Sequence, residues 1–96
     1  MSNVGDPSVE LAAFLVEHYS PGMTRQSFEA ASARVRLSAE RIADEGVPLR
    51  FVHAALIPEE ETALCLFEAT SSRAVEEAYA RASVGYERII DAVLVP

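Results

Sequence analysis

The chain has no lysine, one cysteine, two histidines and four glycines among its 96 residues. Each scarcity excludes something. Cys65 alone allows no internal disulfide, no Cys-x-x-Cys redox pair and no thiolate zinc knuckle. The glycines are scattered at turn positions, so there is no Gly-rich phosphate loop. His-Glu-x-x-His, a nucleophile elbow and a calcium loop are missing too. No apolar run approaches the roughly 18 residues of a membrane span. Positive charge is also scarce: eight arginines face 15 acidic residues, for a net charge of -7. Neutralising phosphates needs a basic surface, so neither nucleic acid nor an anionic membrane is an expected partner. The opening Met1-Ser2-Asn3-Val4-Gly5-Asp6-Pro7 carries neither the basic region nor the apolar core of a signal peptide. The expected location is the cytoplasm.

What is present is apolar: 50% of the residues are hydrophobic. That is too much for a disordered chain, and the length allows one core. We expect a frayed segment at 1–8 and one domain over 9–96.

Val9 to His18, VELAAFLVEH, is a short apolar run and reads as a buried strand that stops at Ser20-Pro21-Gly22. Thr24 stands where a helix N-cap belongs. Behind it Phe28, Ala31, Val35, Ala39 and Ile42 form one helical stripe, opposite Arg25, Glu29, Arg36, Glu40 and Asp44. Arg25 with Glu29, and Arg36 with Glu40, have the spacing of ion pairs. Gly46 and Pro48 end that helix. Leu49 to Ile57 and Thr62 to Ala69 read as strands joined by the charged turn Pro58-Glu59-Glu60-Glu61, an antiparallel hairpin. Ser71 or Ser72 caps a second helix whose stripe is Val75, Ala78, Tyr79 and Ala82 and whose expected stop is Gly85. Glu87 to Val95 is the last strand.

The order is β-α-β-β-α-β. Two helices with one apolar stripe each need a common surface, and a four-stranded antiparallel sheet supplies it. The predicted fold is α+β and ferredoxin-like, with strand order 4-1-3-2 and both helices on one face. The other sheet face has no helix, yet the last strand is apolar on both sides. Burial of that face in a homodimer about a two-fold axis is expected.

Few residues can do chemistry. His53 lies mid-strand among apolar neighbours, where a polar group needs a partner. Cys65 lies mid-way along the next strand. If Ile57 pairs with Thr62, His53 faces Leu66 and Cys65 points to the opposite face; a one-residue bulge would reverse this. His18 ends the first strand, near Tyr86 and Glu87, where water can satisfy it. Imidazole with thiolate or carboxylate suits a borderline metal such as nickel or zinc, and a dimer would double the supply of ligands.

Phe14-Leu15-Val16-Glu17, Pro21-Gly22-Met23-Thr24, Val52-His53 and Cys65-Leu66-Phe67-Glu68-Ala69, in this order of elements, resemble the small nickel-binding ferredoxin-like proteins. The resemblance spans about residues 12 to 93. It implies a dimer that binds a divalent metal ion, nickel, and no organic cofactor. His53, Cys65 and Glu68 fall on the family's positions, and His18 is a further ligand candidate. A second reading is a dimeric ferredoxin-like small-molecule enzyme or binding protein of the cofactor-independent monooxygenase or isomerase type. In it His53 is the acid/base group in a pocket wall, and Tyr79 or Tyr86 positions the substrate.

Overall fold

The computed structural model describes residues 11–96. The expected frayed start at 1–8 lies outside them. Four strands, β1 (Ala12–Tyr19), β2 (Leu49–Ile57), β3 (Thr62–Ala69) and β4 (Arg88–Ala92), and two helices, α1 (Arg25–Asp44) and α2 (Ser72–Ala82), follow in the order β1-α1-β2-β3-α2-β4. The sheet is antiparallel throughout and ordered β2-β3-β1-β4, which is the predicted ferredoxin-like arrangement read from its other edge.

Local chemistry sets the helix ends. The Thr24 side chain accepts from the Ser27 N–H at 3.0 Å, and Ser27 Oγ accepts from the Thr24 N–H at 3.0 Å. Two otherwise orphaned donors are thereby met at the start of α1. At its end the chain turns at Gly46, whose φ of +100° suits a residue with no Cβ. Helix α2 stops earlier than expected, at Ser83, which takes the left-handed conformation with φ 55°. Gly85 therefore lies in the following loop.

One face of the sheet packs on the helices. The alternation of β1 and β3 brings Phe14, Val16 and His18, with Ala63, Cys65, Phe67 and Ala69, to that inner face. Phe28, Val35, Ser38, Ala39 and Ile42 of α1 and Ala74, Val75, Ala78, Tyr79 and Ala82 of α2 close over it. The helices are tied to each other by the Ser38 hydroxyl, which donates to the Ala78 carbonyl at 2.8 Å, and by Arg34 donating to the Ala82 carbonyl. Arg81 joins Glu45 at 2.7 Å and Glu77 at 2.8 Å across the exposed rim. On α1, Arg25 pairs with Glu29 as its spacing predicts, whereas Arg36 lies over the Phe51 ring at 4.1 Å.

Two strands depart from the sequence reading. In β2 a bulge falls between Phe51 and His53. Leu49 and Phe51 are buried against the helices, but beyond the bulge the parity changes, so that His53, Ala55 and Ile57 lie on the helix-free face. Side chains therefore do not alternate continuously between the faces from Leu49 to Ile57. In β4 the pairing ends at Ala92, and Val93, Leu94 and Val95 are exposed at 88%, 51% and 84%. The last strand is shorter than its apolar sequence implies: among the described residues its ladder with β1 ends at the Ala13–Ala92 pair.

Candidate functional site

The inner face holds a buried polar chain. His18 ends the inward-facing row of β1 and is only 6% exposed. Tyr79, 1% exposed, rises from α2 to meet it, and the Tyr79 hydroxyl lies 2.8 Å from His18 Nε2. The ring of Phe28 meets His18 edge-on at 5.7 Å between centroids, and Tyr86 meets Tyr79 at 4.9 Å. Burial lowers the His18 pKa. It raises the Cys65 pKa, against smaller opposing effects of the neighbouring Tyr79 hydroxyl and of the Arg36 charge. Tyr79 is pushed far above the ordinary phenol range by burial and then by Cys65 beside it. At neutral pH all three groups are uncharged, and Cys65 is a thiol rather than the thiolate that metals and nucleophilic chemistry require.

Beside this chain opens a cleft of about 480 Å³ between the end of β1, the start of α1 and the loop before β4. His18 lines it together with Met23, Ser27, Phe28, Ala31 and Tyr86. The loop is held in place by the Glu87 N–H, which donates to the Glu17 carbonyl at 2.7 Å. On the other side the Pro21-Gly22 turn is anchored by Glu61, whose carboxylate accepts from the Gly22 N–H at 2.6 Å.

The helix-free face is arranged in rows across the sheet. His53 pairs with Leu66, Leu66 with Leu15, and Leu15 with Ile90. The row on one side holds Arg50, Glu68, Ala13 and Ala92, and the row on the other holds Ala55, Leu64, Glu17 and Arg88. Ion pairs of 2.8 Å between Arg50 and Glu68 and of 2.9 Å between Arg88 and Glu17 flank the apolar centre. His53 is exposed at the end of the central row, and Glu68 is its diagonal neighbour on β3. Both bonds from Arg50 fall on Glu68 Oε1, so Oε2 has no partner among the described residues.

The four residues singled out in the sequence therefore divide between the two faces. His18 and Cys65 are inside, grouped around Tyr79; His53 and Glu68 are outside. The hairpin register runs through Ile57–Thr62 and His53–Leu66 as first considered, and the bulge lies beyond His53 as seen from the turn. It leaves His53 and Cys65 on opposite faces. Among the described residues no three of His, Cys, Asp and Glu converge on one point. The two histidines have also exchanged environments. The strand-end His18 is the buried one with a protein partner, and the mid-strand His53 is exposed to solvent. The cleft wall belongs to His18, so His53 does not have the place that the small-molecule reading assigned to it. The spacing Phe14-Val16-His18 already marked His18 as inward-facing, and the α2 stripe already contained Tyr79. That these two meet was not readable, because they are 61 residues apart.

The profile of the family described as "Nickel responsive protein SCO4226-like" matches residues 14–91. Among solved structures, one from Streptomyces coelicolor A3(2), described as "Crystal structure analysis of SCO4226", superposes with a TM-score of 0.71 at 26% identity, covering 88% of this chain and 100% of that one. No curated protein matches the sequence.

Proposed function

The chain belongs to the SCO4226-like family of nickel-responsive proteins, and from that membership we propose that it binds nickel between two copies of itself. The observation that carries this reading is the placing of an exposed imidazole, His53, diagonally across from Glu68, whose Oε2 is free among the described residues, on a helix-free face whose centre is apolar. One chain brings too few donors together on that face. A two-fold axis through it would present each set twice and bury Leu15, Leu64, Leu66 and Ile90. Imidazole and carboxylate are suitable ligands for nickel, and neither has to be freed from a buried partner. The reading is of a binding site. The unpaired thiol of Cys65 suits the reducing cytoplasm.

Calorimetric titration of the tag-free protein with nickel, with light scattering at micromolar concentration, tests the proposal. We expect a dimer, one ion shared between two chains, and a loss of affinity of at least about tenfold in His53→Ala and in Glu68→Ala. Unchanged nickel affinity in a folded His53→Ala protein, or a monomer that binds nickel as tightly as the natural chain, overturns it.

A further inference from the structure

The cleft beside His18 plays no part in the metal proposal and lies on the opposite face of the sheet from His53. We propose that it binds a small, uncharged organic molecule, an apolar ring bearing a carbonyl oxygen, with that oxygen accepting a hydrogen bond from His18 Nδ1.

Four observations lead there. First, a volume of about 480 Å³ is in the range of small-molecule sites and admits one or two rings. Second, apolar groups of Met23, Phe28, Ala31, Val84 and Tyr86 make up the larger part of the walls, and Ser20, Ser27 and Glu87 supply polar ones. Third, no arginine lines the cleft and Glu87 does, so an anionic ligand is disfavoured. Fourth, His18 is 6% exposed and makes one hydrogen bond, through Nε2, although no buried side-chain nitrogen or oxygen among the described residues lacks a partner. Its Nδ1 is therefore not sealed in, and the cleft is the space that His18 lines.

The direction of the proton follows from acceptor strength. Tyr79 stays a phenol and has one proton to donate. An imidazole nitrogen is a far better acceptor than a thiol sulfur, so Tyr79 donates to Nε2 rather than to Cys65. Neutral imidazole then carries its own proton on Nδ1, which makes it a donor toward the cleft. A carbonyl oxygen satisfies it; a cation does not.

Titration of the ¹⁵N-labelled full chain with acetophenone, followed in the imidazole and methyl NMR spectra, tests this. Acetophenone is expected to shift the His18 nitrogens and the Met23 methyl saturably. Ethylbenzene, which has no acceptor, should bind about tenfold more weakly, and benzoate should not bind. Ala31→Phe fills the cleft from a wall position that makes no hydrogen bond to His18 or Tyr79 and should abolish the shifts. Gly85→Phe gives a second blocking variant, since a Cβ there meets nothing within 4 Å. The absence of saturable shifts with acetophenone, equal binding of ethylbenzene, or shifts that survive in whichever blocking variant folds overturns the proposal.

Discussion

Replacing Tyr79 by Phe removes one oxygen from the centre of the molecule and little else. The ring is 1% exposed and packs against Phe67 at 5.9 Å, Tyr86 at 4.9 Å and His18 at 5.4 Å between centroids, all contacts that phenylalanine keeps. No cavity large enough to matter is created. What is lost is the hydrogen bond of 2.8 Å to His18 Nε2. That nitrogen stays buried with no partner, at a cost of about 1–3 kcal/mol. For a chain of this size each kcal/mol lowers Tm by roughly 4–8 °C, so a central loss of about 2 kcal/mol corresponds to roughly 8–16 °C. Urea unfolding followed by circular dichroism should show a lower midpoint with an unchanged slope. In a His18→Leu background the buried nitrogen is already gone, and Tyr79→Phe should then cost less by about 1 kcal/mol or more. A loss below about 0.5 kcal/mol in the single variant, or strict additivity in the double one, would refute the assignment of Tyr79 as the partner that His18 depends on.

Burial lowers the His18 pKa, so the folded chain resists a proton that the unfolded chain accepts. Its contribution to stability is complete above the unfolded pKa of about 6.5 and falls as the pH drops from there toward the folded pKa, at up to about 1.4 kcal/mol per pH unit. Thermal midpoints measured from pH 8 to pH 5 should decline in the lower half of that range, and the decline should be smaller in His18→Leu. In metal-free protein at concentrations low enough for the single chain, His53→Ala, a change at a strand position exposed in that chain, should alter stability by no more than about 0.5 kcal/mol in urea titrations; a larger loss there would contradict its exposure. We expect no salt-sensitive retention on a DNA or RNA column at neutral pH. Net charge is -7, Arg25, Arg50, Arg81 and Arg88 are paired with glutamates, and Arg36 is spent on Phe51.

The elements themselves were readable because each rests on local chemistry. Thr24 caps α1 through its own neighbour Ser27, Gly46 ends that helix because it tolerates a φ of +100°, and the stripes of α1 and α2 require a sheet to cover. Where local signals competed, the reading failed. Ser83 stops α2 in the left-handed conformation, although by residue type Gly85 was the better candidate. Val93 to Val95 continue an apolar strand pattern, yet a strand needs a partner, and the ladder with β1 ends at Ala92.

The candidate site was legible in its residue types and not in its grouping. His18, Cys65, Tyr79, His53 and Glu68 could all be named from the sequence. Their division into a buried chain and an exposed pair depends on one bulge after Phe51 and on which strand end the loop before β4 covers. Sequence alone determined the βαββαβ order, the single core and the common face for both helices, because periodicity and capping act over a few residues. Only the tertiary structure decided that the strand-end histidine is turned inward and met by Tyr79 while the mid-strand one faces outward. Burial depends on which distant elements lie above a side chain, and 61 residues separate His18 from the group that meets it.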